Sequence, residues 1–316
     1  MSDRRIRIGT RGSPLALAQA REVQTRLAQA NGLKPADVPI VEIVTSGDRI
    51  QDRPLSKVGG KGLFTKEIEQ ALFDCRIDLA VHSMKDLETA LPNGLALSAV
   101  LEREDVRDAF ISRKYKSLAE MPAGAVVGTS SIRRRAQLHY ARPDLKIVEF
   151  RGNVQTRLRK LDDGIADATF LACAGLRRLG LDDGLGLPLE PGQMLPAVAQ
   201  GAIALQIRAT DTVALECTAP LNHRESFLRT KAERAFLAGL NGSCRTPIAG
   251  LATINATKLD FHGQVLLPDG SQCIDIEHHG LAEDAETIGR DAATQLLQQA
   301  GPDILRDIMN STEGHA

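Results

Sequence analysis

The densest chemistry in the chain is a run of hydroxyls and guanidinium groups, Gly128-Thr129-Ser130-Ser131-Ile132-Arg133-Arg134-Arg135. Ala125-Val126-Val127 precedes it and reads as a short buried strand, while Arg135 to Tyr140 reads as helix. The polar run therefore falls where a strand becomes a helix. Unpaired backbone N–H groups and partial positive charge gather at a helix start, so anions bind there. Ser and Thr hydroxyls add donors, and Arg adds a planar fork that matches a carboxylate or phosphate. The next strand, 146–150, ends in Arg151-Gly152-Asn153 and leads into Thr156-Arg157-Leu158-Arg159-Lys160. One such cluster reads equally as a solvated helix face. Two at equivalent strand ends of an open α/β sheet point to an anion site.

The first half of the chain repeats the arrangement. A strand over 5–10 ends in Thr10-Arg11-Gly12-Ser13-Pro14, and a helix is expected over 15–30. A strand over 77–81 ends in His82-Ser83-Met84-Lys85-Asp86. Asp86 is the one acid among cationic and hydroxylated strand ends. It is either the ion-pair partner of Lys85 or a group that holds a cationic centre and moves a proton. The segment 50–62 carries Lys57, Lys61 and three glycines but lacks the Walker A spacing. It reads as a mobile lid bearing two lysines or as plain disorder. Cys244 lies in a loop between Gly242 and Arg245. Beside a guanidinium it is either an activated thiolate or an unreactive surface thiol.

The elements that must position these groups fall into three parts. Residues 1–101 and 202–219 form a first α/β lobe, 107–195 a second, and 222–316 a small α+β domain with a Pro268-Asp269-Gly270 hairpin turn. The charged run 101–108 and Pro196 to Gly201 are two crossovers, so the strand at 202–207 is expected to return to the first sheet. Two such crossovers make a hinge, with the site between lobes.

Composition limits the partners. With 316 residues and 43% hydrophobic content the chain supports several cores. A net charge of -1 argues against duplex binding, and 3% aromatics with no Trp argue against a single-strand stacking platform. The five cysteines show no paired spacing and no Cys/His cluster, which points to a reducing compartment and no structural metal. Neither a signal-peptide core nor a membrane-length apolar run is seen, so a cytoplasmic protein is expected.

Seven runs stand in one order and spacing: Arg7-Ile8-Gly9-Thr10-Arg11-Gly12-Ser13-Pro14-Leu15-Ala16-Leu17, Val58-Gly59-Gly60-Lys61-Gly62-Leu63-Phe64, Ala80-Val81-His82-Ser83-Met84-Lys85-Asp86, Gly128 to Arg134, Arg151 to Leu158, Leu195 to Gly201, and Ala232-Glu233-Arg234-Ala235-Phe236 leading to Cys244. Together they resemble the hydroxymethylbilane synthase (porphobilinogen deaminase) family. The resemblance implies two lobes like those of periplasmic binding proteins plus a small C-terminal domain, acting as a monomer. It implies a dipyrromethane cofactor joined through a thioether to Cys244, on which four porphobilinogen units are polymerised to hydroxymethylbilane. Cofactor carboxylates would be held by Ser83, Lys85, Thr129, Ser131, Arg133 and Arg134, and substrate by Arg11, Ser13, Arg151 and Arg157. Asp86 would be catalytic, stabilising the positive pyrrole nitrogen of the azafulvene formed when ammonia leaves. The sequence departs from the family pattern at Leu87-Glu88, Ser243 and Arg245. The rival reading is a non-catalytic two-lobed binding protein for a small dicarboxylate.

Overall fold

The computed structural model describes residues 5–49, 62–243 and 246–313, with 302–313 as backbone. In chain order the elements begin with β1 (Ile8–Thr10), α1 (Pro14–Asn31), β2 (Ile40–Glu42), α2 (Ser46–Arg49), α3 (Lys66–Phe73), β3 (Leu79–Ser83) and β4 (Leu95–Val100). They continue with β5 (Asp108–Ser112), β6 (Val126–Gly128), α4 (Ile132–Ala141), β7 (Lys146–Val148), α5 (Val154–Asp162), β8 (Ala168–Ala172), α6 (Cys173–Arg178) and β9 (Leu187–Pro188). The rest is β10 (Ile203–Arg208), α7 (Thr212–Thr218), α8 (Arg224–Gly239), β11 (Ile248–Asn255), β12 (Lys258–Leu266), β13 (Cys273–Leu281) and α9 (Ala285–Glu313), which is broken at Gly301.

These elements group into two compact units, 1–104 with 201–227, and 105–200 with 228–316. The first unit carries a five-stranded sheet in the order β2-β1-β3-β10-β4. The returning strand β10 enters antiparallel between β3 and β4, so the sheet is mixed rather than purely parallel. Ile203, Leu205 and Ile207 face α1, where they pack with Ile8, Val23, Leu27 and Val81. The opposite face meets α3 through Ile68, Ala71, Leu72 and Ala80. Apolar residues on both faces are what a sheet covered by helices on both sides requires.

The second unit repeats the order as β7-β6-β8-β5-β9, with β5 antiparallel in the place that β10 holds in the first. Gly128 ends β6 where a Cβ would come within 2.4 Å of the Phe150 ring, so only glycine lets the buried aromatic close under the strand end. The same unit contains a three-stranded antiparallel meander, β11-β12-β13, covered by α8 and α9 through Ala232, Phe236, Phe261, Ile288 and Leu296. The meander and its two helices make a small α+β domain, and residues 228–316 group with the second sheet in one compact unit. Glu233 on α8 is fully buried and accepts from the backbone N–H groups of Ala199 (2.6 Å) and Ala252 (2.8 Å). One carboxylate thus joins the second crossover to the meander.

Candidate functional site

In the first unit the strand ends converge. Thr10, Arg11, Ala16, Gln19, Phe64, His82, Ser83 and Asp86 all line one small cleft. Arg11 follows β1, Ser83 ends β3, and Lys85 and Asp86 lie in the short helical turn after it. Pro14 opens α1, and Ser13 caps it by accepting from Ala16 N at 3.3 Å, which leaves the hydroxyl hydrogen able to donate. Ser83 Oγ pairs with the buried Gln19 side-chain amide at 3.0 Å. Asp86 is exposed and Lys85 half-buried. Behind Ser83, His82 is buried and its Nε2 meets Gln206 Oε1 at 3.0 Å. Gln206 Nε2 donates in turn to Glu69 at 3.1 Å, so His82 carries its proton on Nε2. Burial first, then the nearby Arg11 charge, pull the imidazole pKa down to about 4 against the opposing Gln206 hydrogen bond, so it is neutral at pH 7. Glu88, a departure from the family pattern, accepts from Gly62 N at 3.4 Å.

In the second unit the basic run takes a different form from a row of free cations. Ser131 caps α4, accepting from Arg134 N at 3.4 Å, and Thr129 accepts from Ser131 N at 3.2 Å. Arg133 and Arg134 point inward and are each 5% exposed. Arg133 reaches Asp108 Oδ2 (2.6 Å) and the Leu195 carbonyl (2.6 Å). Arg134 reaches Asp108 Oδ1 (2.6 Å) and the Phe170 carbonyl (2.8 Å). Gln200 Nε2 donates to the same Asp108 and to Val106 O. Burial alone would raise the Asp108 pKa, but the two guanidinium charges outweigh it and hold the carboxyl far below its usual range. The Nε–H groups of both arginines are buried without a hydrogen-bond partner among the described residues. Arg151 is half-buried after β7, and Arg157 on α5 folds back to donate to Gly152 O at 2.9 Å. Asn153 caps α5 through Thr156 N at 2.8 Å.

The structure therefore brings Arg11, Ser13, Ser83, Lys85 and Asp86 to strand ends of the first sheet. It brings Thr129, Ser131, Arg133, Arg134, Arg151 and Arg157 to strand ends of the second. Cys244, Lys57 and Lys61 lie outside the described residues. Three contributors had no distinct sequence signal. Asp108 is hidden in a charged run that reads as solvated, and Gln19 and Gln206 are neutral amides inside apolar elements. Among the described residues no group of three His, Cys, Asp or Glu could hold a metal ion.

Residues 6–216 match the family model described as porphobilinogen deaminase, dipyromethane cofactor binding domain, and 227–298 match porphobilinogen deaminase, C-terminal domain. The porphobilinogen deaminase of Paracoccus denitrificans is 56% identical over 299 residues, covering 95% of this chain and 96% of its own. That of Nitrobacter winogradskyi is 53% identical over 294 residues, 93% of each chain. Among solved structures, the lipoprotein Tp32 of Treponema pallidum aligns with 74% of this chain and 98% of its own, at 18% identity and a TM-score of 0.43. High identity along both lobes and on into the meander domain leaves one conclusion: the chain belongs to the porphobilinogen deaminase family.

Proposed function

We propose that this chain is the transferase that deaminates porphobilinogen and joins four units head to tail into hydroxymethylbilane, in tetrapyrrole biosynthesis. The observation that carries the reading is one acid, Asp86, set with Arg11, Ser83 and Gln19 around a single cleft at the strand ends. Each coupling breaks an aminomethyl C–N bond, releases ammonia and forms a C–C bond to the next ring, whose carbon gives up a proton. Positive charge develops at a pyrrole nitrogen. A carboxylate beside that N–H stabilises the charge and can carry the proton away. Arg11, Ser13, Arg151 and Arg157 would hold the acetate and propionate groups of substrate. Each hydrogen bond to a charged group contributes about 1.5–3 kcal/mol.

The family's dipyrromethane cofactor fits the residues present. Two buried Nε–H groups, of Arg133 and Arg134, have no acceptor among the described residues, and the Ser131 capping oxygen still has a hydrogen to donate. A donor set this rich suits a group that carries carboxylates. Thr129, Ser131, Arg133 and Arg134 would hold it in the second unit, Ser83 and Lys85 in the first, with Cys244 as the attachment point. When bound, the cofactor supplies a covalently retained primer for chain growth. Because Asp108 already takes one nitrogen of each arginine, the pair would offer the cofactor only the remaining donors, in fixed positions.

Lys57 and Lys61 are proposed as lid residues. The chain would act as a cytoplasmic monomer on small-molecule substrate, without nucleic acid. Among the described residues no helix is long and apolar enough to cross a membrane. The division into 1–101 with 202–219, 107–195 and 222–316 is proposed as three domains. A non-catalytic dicarboxylate binder is not favoured, since the family match continues through the C-terminal domain. The test is to incubate the purified protein with porphobilinogen and follow ammonia and hydroxymethylbilane. Stoichiometric release of both is expected, whereas binding without turnover would refute the assignment.

A further inference from the structure

Arg11 does not stand free in its cleft. Its Nε lies 3.2 Å from Asp48 Oδ1 and 3.3 Å from Oδ2, and its Nη2 also meets Oδ1, so one edge of the guanidinium is clamped by the carboxylate. The Phe64 ring covers one face, 4.1 Å from guanidinium carbon to ring centroid. Asp48 is itself held: Thr45 Oγ1 donates to Oδ2 at 2.7 Å and Thr45 N at 3.3 Å. Thr45 is fully buried, which holds its hydroxyl in place under Asp48. Burial pushes the Asp48 pKa up, but the Arg11 and Thr45 hydrogen bonds prevail and keep it ionised.

The support extends one residue further. Gly47 packs against the same ring, and a Cβ there would lie 2.2 Å from Phe64 Cε1. Gly47 N donates to Leu63 O at 2.8 Å, which ties the turn bearing Asp48 to the segment bearing Phe64. The guanidinium therefore has a fixed edge and a fixed face, and its Nη1 side is left out of the clamp. An Arg so held loses little conformational freedom when it binds a second carboxylate. The paired Asp48 also offsets its charge, so what Arg11 offers is direction more than net attraction.

We propose that Asp48 is a positioning residue for the reaction: through its clamp on Arg11, against the Phe64 ring, it aims the guanidinium at a substrate carboxylate. The proposal rests on Arg11 being a substrate ligand, as argued above. It is tested by a double-mutant cycle on the cofactor-loaded enzyme, with Asp48→Asn, Arg11→Lys and the double variant. KM for porphobilinogen, kcat, melting temperature and intact mass are measured for each. Asp48→Asn is expected to raise KM about tenfold with cofactor mass retained, and Asp48→Glu, which keeps the charge, to recover part of that loss. In the double variant KM is expected to match the worse single variant, because both changes remove one interaction.

Multiplication of the two KM effects would overturn the proposal, since Asp48 would then act independently of Arg11. An unchanged KM in Asp48→Asn beside a raised KM in Arg11→Lys would overturn it while leaving the substrate role of Arg11 intact. An unchanged KM in Arg11→Lys would remove that role, and the proposal with it. A fall in melting temperature with KM unchanged would mark Asp48 as structural only.

Discussion

Asp108 Oδ1 lies 2.6 Å from Arg134 Nη2, and no part of the aspartate meets solvent. The other carboxylate oxygen is equally close to Arg133, so one acid is shared by two guanidinium groups at the start of α4. Through Gln200, Val106 O and Leu195 O the same network reaches both chain crossovers. Arg133 and Arg134, which sequence offers either as a solvated helix face or as an anion site, are buried inside the second unit.

Removing that acid should be costly. Asp108→Asn leaves two buried guanidinium groups short of a counter-charge, and breaking a buried pair in this way costs about 3–5 kcal/mol. The loss should appear in urea unfolding near pH 7. The Asp108 pKa is lowered on folding, so its contribution is present above the ordinary carboxylate range and fades as pH falls toward the depressed value. Stability of the variant within 1 kcal/mol of the parent would mean the network is not closed as described.

Asp86→Asn keeps shape and hydrogen-bonding atoms but removes the charge. The expected product is a folded protein that still carries cofactor and turns over at least a hundredfold more slowly, in line with the loss of a general acid–base group. Single-turnover kinetics with porphobilinogen, alongside intact mass, check both halves. Ordinary turnover would remove Asp86 from the mechanism.

His82 should stay neutral down to about pH 4. The unfolded chain takes up a proton near the ordinary histidine value of about 6.5 while the folded one does not. Stability is therefore lost as pH falls from about 6.5 to 4, by roughly 3 kcal/mol, and changes little further from this group below that. Imidazole NMR shifts against pH report the folded value directly. Substituting His82→Gln should flatten the stability profile over the same window.

Gly47→Ala is expected to displace the Phe64 ring, because the new methyl group would lie 2.2 Å from Cε1. Overpacking of this kind costs about 1–3 kcal/mol. The Arg11 stack shifts with the ring, so KM should rise several-fold. Thermal unfolding and steady-state kinetics measure the two effects separately.

How much of this was legible depends on what each residue shows its neighbours in sequence. The helix expected over 15–30 agrees within a residue with α1 (Pro14–Asn31), while the strand expected over 77–81 runs two residues later as β3 (Leu79–Ser83). The return of β10 to the first sheet follows from a short apolar strand after a crossover, but its antiparallel sense does not. Asp108, the first residue of β5, gives no sign of its burial in sequence, because six of the residues 101–108 are charged, a pattern that reads as solvent-facing. Its burial comes from partners 25 and 26 positions away. The Asp48 clamp was hidden similarly: a Ser-Gly-Asp-Arg turn states its polarity, not which guanidinium it will meet. Short-range spacing reveals strand ends and caps, whereas pairing across the sheet is a property of the fold.

The central claim is that a primer is held covalently through Cys244 while porphobilinogen units are added to it. The most direct measurement is the intact mass of the purified protein before and after one equivalent of porphobilinogen, compared with Cys244→Ser. The account predicts a parent heavier than its sequence by one dipyrromethane, a further step of one pyrrole unit after substrate, and neither increment on the variant. A parent at its bare sequence mass that still turns over substrate, or the cofactor increment on Cys244→Ser, would contradict it.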